Sequence, residues 1–288
     1  MLDYHLHLWP HGTIGTAPTL EQLASYCEQA ATHGVSEIAL TEHLFRFVQA
    51  DGVLGGFWTD DPDPRLQEAM AAYWQEHAHV DMDAYVDAVV AAKAAGLPVV
   101  LGLEVDYYPD RMDKVRRLVE GYPFDVLLGS VHWLGAWGFD DYEHPVVAAE
   151  WDNRAVEAVW ADYTRALEEL AACDVVDVLA HPDLCKVTGR RPGTPEEFYD
   201  RMAEAAAGSG MAAEVSSAGW RKPVGEEYPA PPLLARFKAR GVPVTTASDA
   251  HEVATVAHRA DDLRAVLAAA GYDELQAYRQ RTPHPVAL

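Results

Sequence analysis

The sequence predicts an α/β fold in which parallel strands and helices alternate around one closed barrel. Three observations predict it. Short apolar, β-branched-rich runs alternate with longer Ala-rich segments of helical period. The 288 residues are 49% hydrophobic, enough for one large core. Polar, chemically competent residues end nearly every strand. Strand-helix repeats can also open into a doubly wound sheet, and it is the third observation that favours closure, because side chains arriving from all sides converge on one barrel mouth. No linker, internal repeat or low-complexity tract interrupts the pattern, so residues 1–288 read as a single domain.

The first strand is assigned to residues 2–8 and the first helix to 19–32, where Thr19 and Gln22 make a capping-box-like start and Gly34 a stop. A second strand over 37–41 leads into an irregular stretch, 44–80, containing GVLGGFWTDDPDP and predicted as a long loop with a short helix over the site. Further strands are assigned to 99–103, 126–130, 175–180, 211–215 and 242–247. The helices between and after them are 84–95, 111–120, 153–172, 195–207, 231–240 and 261–270, with Gly96 and Gly241 at C-cap positions. The tail RTPHPVAL reads as a surface extension.

Lys and Arg total 22 against 45 Asp and Glu, a formal charge of -23, which disfavours nucleic acid or an anionic membrane as partner. The start, MLDYHLHLW, lacks the basic and apolar regions of a signal peptide. No apolar run approaches the ~20 residues that span a bilayer, so a soluble cytoplasmic protein is expected. Cys27, Cys173 and Cys185 are widely spaced and contain no C-x-x-C pair, which argues against a disulfide framework or a Cys-based zinc site.

The chemistry lies at the strand ends. His5 and His7 are spaced i, i+2 and project from one face with Cα atoms ~7 Å apart. Alone, H-x-H is also what a buried histidine beside a surface one produces. The case rests on recurrence: ALTEH places His43 after the second strand, LGLEV places Glu104 at the end of the third, LLGSVH supplies His132, VLAHPD supplies His181, and TTASDAH supplies Asp249 and His251 at the same i, i+2 spacing. With 13 His in 288 residues, scattering would rarely put one after five of seven strands. Buried polar groups need partners. Divalent metal ions supply them, since neutral imidazoles and carboxylates are their usual ligands. The ligands are too many for one ion, and Glu104, the only Glu among them, is the natural bridge. His11, four residues beyond His7, can fold back to a metal, and Glu42 can either orient a ligand or cap its loop. His33, His77, His79, His144, His258 and His284 are expected to be solvated.

Together these motifs resemble the polymerase and histidinol phosphatase (PHP) superfamily, through H-L-H at 5–7, T-E-H at 41–43, G-L-E at 102–104, G-S-V-H at 129–132, A-H-P-D at 180–183 and S-D-A-H at 248–251. The resemblance covers nearly the whole chain and implies a distorted (β/α)7 barrel with a trinuclear metal centre at the C-terminal ends of the strands. Within the superfamily the chain looks most like stand-alone histidinol-phosphate phosphatases, through YPFDVLLGSVHWLGAW (122–137), SSAGWRKP (216–223) and EEYPAPPLLARFKARGVPVTTASDAH (226–251). The resemblance implies one metal on His5, His7, Glu104 and Asp249, a second on Glu104, His132 and His181, and a third on His11, His43 and His251. Two departures stand out: the second motif has T-E-H where the family usually has T-D-H, and the first loop is short, so His11 arrives early.

The expected activity is hydrolysis of a phosphate monoester, L-histidinol phosphate to L-histidinol and phosphate in histidine biosynthesis, by in-line attack of a metal-bridging hydroxide centred on Glu104, Asp249 and His251. Two or three ions of zinc, manganese or iron are expected, because all three metals accept such ligands. Arg221 and Lys222 follow the sixth strand and can offer charge-assisted hydrogen bonds to phosphate, and Arg190 and Arg191 in KVTGRRPG form a second candidate clamp. Phe45, Trp58, Trp133 and Trp137 are candidate walls for the rest of the substrate. A different small phosphate ester in a specialised pathway is the alternative within this chemistry. A metal-dependent amidohydrolase is disfavoured because no Lys ends a strand to become a bridging carbamate, and a non-catalytic metal-binding regulatory module because the ligands are kept. The sequence leaves metal identity and oligomeric state open.

Overall fold

The structure is a computed structural model that describes residues 1–13 and 15–288. In chain order its strands are β1 (Leu2–Leu6), β2 (Glu37–Leu40), β3 (Val99–Asp106), β4 (Val126–Ser130), β5 (Trp133–Leu134), β6 (Trp137–Gly138), β7 (Val178–Leu179), β8 (Ala212–Ser216), β9 (Val244–Ala247), β10 (Glu274–Arg279) and β11 (Thr282–Ala287). Seven of them pair in parallel in the order β1-β2-β3-β4-β7-β8-β9. Every residue of β1, β3, β4, β8 and β9 is buried, as expected for strands covered on both faces. The first and last strands are joined by a bridge, Leu6 to Ala250, in which the His7 N–H donates to the Ala250 carbonyl at 2.8 Å and the Asp249 N–H to the His5 carbonyl at 2.9 Å. The barrel predicted from the sequence is therefore closed by the two segments that carry H-L-H and D-A-H.

Helices ring the barrel: α1 (Leu20–Thr32), α2 (Val48–Leu54), α3 (Pro64–His77), α4 (Met82–Ala94), α5 (Met112–Val119), α6 (Pro145–Asn153), α7 (Val156–Ala172), α8 (Glu196–Ser209), α9 (Pro231–Ala239) and α10 (Ala260–Ala269). Thr19 caps α1 by accepting from the Gln22 N–H at 3.1 Å, as its sequence predicts. Tyr85 of α4 reaches into the sheet, its hydroxyl donating to the carbonyls of Leu40 at 2.7 Å and Gly102 at 3.0 Å.

Two expectations are corrected and two elements are added. The stretch 44–80 is largely helical, not a long loop. A 3-10 turn (Leu44–Arg46), α2 and α3 fill it. Asp63 caps α3 by accepting from the Arg65 N–H at 2.9 Å, and Pro64 occupies its first position, so the turn-forming residues mark a helix start. The predicted helix 153–172 is α7, and the structure adds two elements before it that the sequence did not reveal, the hairpin β5-β6 and helix α6. The tail RTPHPVAL is strand β11, antiparallel to β10 with Leu275 opposite Val286. Pro283 and Pro285 conceal it in the sequence, but an edge strand tolerates proline. This terminal hairpin crosses the N-terminal ends of the barrel strands: Arg281 N–H donates to the Asp125 carbonyl at 2.8 Å and the Tyr278 hydroxyl to the Asp177 carbonyl at 3.1 Å. Among the described residues, no helix is long and apolar enough to cross a membrane.

Candidate metal centre

Glu104, near the end of β3 and fully buried, is the hub of the site. One of its oxygens, Oε2, lies 2.7 Å from His43 Nδ1, 3.2 Å from His5 Nε2 and 3.5 Å from His7 Nε2. The other, Oε1, lies 3.0 Å from His181 Nε2 and 3.5 Å from His132 Nε2. Each oxygen serves its own set of imidazoles, which is the arrangement of a bridging carboxylate. Asp249 Oδ1 sits 3.4 Å from His7 Nε2 and 3.7 Å from His251 Nδ1. His181 and Asp249 hold positive φ, 26° and 52°, conformations that cost non-glycine residues and concentrate where function over-determines the backbone.

Four groups bring three ligand atoms within 4.8 Å of one another: His5, His7 and Asp249; His5, Glu104 and His181; His43, Glu104 and His132; and His7, His43 and His251. These contain every sequence-predicted ligand except His11. His11 lies at the rim, its ring 4.5 Å from that of His251 and 5.5 Å from that of His43, with Nδ1 3.4 Å from the Tyr73 hydroxyl. His7 takes its place beside His43 and His251.

The donor set fits divalent metal. His5 Nε2, both ring nitrogens of His7, His43 Nε2 and His251 Nε2 are buried without hydrogen-bond partners. So many orphaned polar atoms at one point are costly unless a cation completes them. Burial alone would raise the Glu104 carboxyl, but the imidazoles of His5, His43 and His132 outweigh it and hold it well below the usual range. Burial, reinforced by His7, holds His43 well below the usual imidazole range, and His251 behaves likewise. Burial also disfavours the charged forms of His5, His7 and His132, but the carboxylates beside them outweigh it and raise all three above the usual imidazole range, so these rings would release protons to a metal, which takes ionised carboxylate and neutral imidazole.

The cluster opens into a cavity of about 800 Å³. His43, His132, Asp249 and His251 form its floor, Phe45, Tyr73 and Trp133 an aromatic wall, and Arg221 and Lys222 one side. Asp140, Asp141 and Glu143 also line it. Arg221 is held by its Nη2, which donates to the carbonyls of Ser248 at 2.7 Å and Asp249 at 3.0 Å, while Nη1 is buried and unpartnered. The turn that presents it, Ala218–Arg221, needs glycine at 219: a Cβ there would stand 2.0 Å from the Glu226 carbonyl oxygen.

The PHP domain family matches residues 5–218, most of the chain. The chain belongs to the PHP domain family. A Deinococcus radiodurans protein named as a probable histidinol-phosphatase is 34% identical over 265 residues, covering 91% of this chain and 90% of the relative. Among solved structures, the histidinol phosphate phosphatase of Lactococcus lactis, complexed with zinc, L-histidinol and phosphate, aligns with TM-score 0.65 at 20% identity over 98% of both chains. A Listeria monocytogenes structure aligns with TM-score 0.68 at 18% identity, covering 91% of this chain and 99% of that one. These two are likenesses of fold.

Within this PHP barrel, several predicted residues stand elsewhere. Arg190 donates to the Trp151 carbonyl at 2.7 Å and pairs with Asp152 at 2.6 Å, and Arg191 pairs with Glu226 at 2.8 Å. Neither lines the cavity, because the loop after His181 carries them toward α6 and the segment before α9. Trp137 is buried against Trp151, ring centroids 4.9 Å apart, and Trp58 packs on Trp74, so both are core contacts off the cavity wall. His77, expected in solvent, is 4% exposed and lines the cavity, because α3 turns it inward to bond the Tyr73 carbonyl at 2.7 Å. Sequence reasoning missed two carboxylates behind the ligands. Asp106 Oδ1 lies 2.6 Å from His132 Nδ1, and Glu214 Oε2 lies 2.7 Å from His5 Nδ1. A signal existed for both: Asp106 is i+2 from Glu104 on β3, and Glu214 is a lone acid inside an apolar strand. Glu42, predicted to orient a ligand or cap its loop, has Oε2 3.7 Å from His7 Nδ1 and accepts the Leu8 N–H through Oε1.

Proposed function

We propose that this chain is a metal-dependent phosphomonoesterase that converts L-histidinol phosphate and water to L-histidinol and phosphate. One observation carries it: the cavity offers a free, buried guanidinium N–H of Arg221 beside the ligand cluster and the carboxylates Asp140 and Asp141 elsewhere on its wall, matching a substrate anionic at one end and cationic at the other. The named activity of the 34% identical relative, and the zinc, L-histidinol and phosphate of the Lactococcus structure, support it.

His5, His7, Glu104 and Asp249 would hold one ion, Glu104, His132 and His181 a second, and His43 and His251 a third, with His7 or His11 completing it. Zinc, manganese and iron all suit these ligands. When bound, such ions supply a water ionised near neutral pH and neutralise phosphoryl charge. Arg221 and Lys222 receive the phosphate as charged donors. Phe45, Tyr73 and Trp133 give the imidazole ring an aromatic face and exclude water. Burial, then the neighbouring Asp140, pushes the Asp141 carboxyl up to about 6, and a substrate ammonium beside it favours the ionised form and gains a charge-assisted bond. This reading assigns the chain to histidine biosynthesis in the cytoplasm.

Phosphate release across a panel of monoesters tests the assignment. Turnover of L-histidinol phosphate should exceed that of sugar and nucleoside phosphates, which lack a cationic amine. Comparable turnover of many unrelated esters would defeat the substrate assignment.

A further inference from the structure

We propose that Glu214 is a positioning residue that orients two ligands at once, one on each side of Glu104; the inference rests on the metal-centre reading above. Glu214 is fully buried in β8 between Ala213 and Val215, and its oxygens belong to none of the four ligand groups. A carboxylate buried in such a strand is costly unless hydrogen bonds satisfy its oxygens. Here both are used. Oε2 lies 2.7 Å from His5 Nδ1, and Oε1 accepts the His181 backbone N–H at 3.2 Å.

The first contact selects a tautomer. With Nδ1–H donated to Glu214, the other nitrogen of His5 carries no proton, and it is this Nε2 that faces Glu104 Oε2 at 3.2 Å and Asp249 Oδ1 at 3.9 Å. The second contact holds a backbone conformation. His181 has φ 26°, unfavourable for a side chain with a Cβ, and is gripped from both sides: its N–H by Glu214 and its carbonyl by the Tyr163 hydroxyl at 3.2 Å. The result is His181 Nε2 aimed at Glu104 Oε1, 3.0 Å away. Asp106, by contrast, serves the ring of His132 alone among the ligands. Outer carboxylates of this kind raise ligand basicity and fix ring orientation.

Glu214→Gln is the discriminating variant because it preserves shape and removes one acceptor. If the amide NH2 faces His5, it donates to Nδ1 and moves the ring proton to Nε2, the ligating atom. If the amide oxygen faces His5, the NH2 opposes the His181 N–H. Zinc affinity, read by competition with a chelating dye on the full chain, should fall about 10–100-fold. The zinc-induced rise in melting temperature should shrink, while the melting temperature of the metal-free protein changes little. The visible spectrum of the cobalt-loaded variant should change, which a merely structural role would not cause. Should Glu214→Gln fail to fold, Glu214→Asp keeps charge and both acceptors on a shorter arm, and it should also weaken zinc. Wild-type zinc affinity and an unchanged cobalt spectrum in a folded variant would overturn the proposal. Wild-type protein that binds no zinc or cobalt would instead overturn the metal-centre reading, and the proposal with it.

Discussion

Glu104→Gln should lose metal and lower phosphate release by more than the ~10–100-fold typical of an outer-shell substitution. The reason is geometric. Glu104 Oε2 faces His5, His7 and His43 while Oε1 faces His132 and His181, so one side chain belongs to both halves of the cluster. Glutamine fills the same space but carries no charge, and its NH2 would point a donor at a cation on one side. Packing is retained and ligation is not. Metal analysis of the purified variant beside wild type checks this, and full metal content in the variant would mean that Glu104 bridges nothing.

Arg221→Ala should lower kcat/KM for the phosphate ester and weaken inhibition by inorganic phosphate. A hydrogen bond to a charged group is worth about 1.5–3 kcal/mol, roughly 10–150-fold. Its Nη1 has no partner while Nη2 holds the Ser248 and Asp249 carbonyls, so under the proposed function Nη1 would be the donor to phosphate. Arg221→Lys separates these duties, since it keeps the charge but cannot make the paired contacts. Arg191→Ala should leave both constants near wild type, because its guanidinium pairs with Glu226 away from the cavity. Equal losses in Arg191→Ala and Arg221→Ala would contradict the assignment of the phosphate clamp to Arg221 rather than Arg191.

The ligand cluster was legible because strand periodicity converts spacing into direction. His5 and His7, then Asp249 and His251, carry the same i, i+2 spacing, and the closing seam of the barrel brings the two pairs together. Glu104, His132 and His181 follow from position at strand ends. What stayed hidden depends on partners distant in the chain. Glu214 meets His5 across 209 residues, and no local pattern links them. Arg190 and Arg221 look alike as loop arginines after strands. Which one faces the cavity is decided by loop path, including the close approach of the Glu226 carbonyl that requires Gly219. Helix α3 and strand β11 were obscured by proline, which signals a break in a sequence yet suits a helix start and an edge strand.

The most direct test is metal analysis of the purified chain together with phosphate release from L-histidinol phosphate, before and after chelation. The metal-dependent phosphatase requires about two or more divalent ions per chain, release that falls to background when they are removed, and recovery when they are restored. Fewer than two ions per chain with release indifferent to the chelator would contradict it.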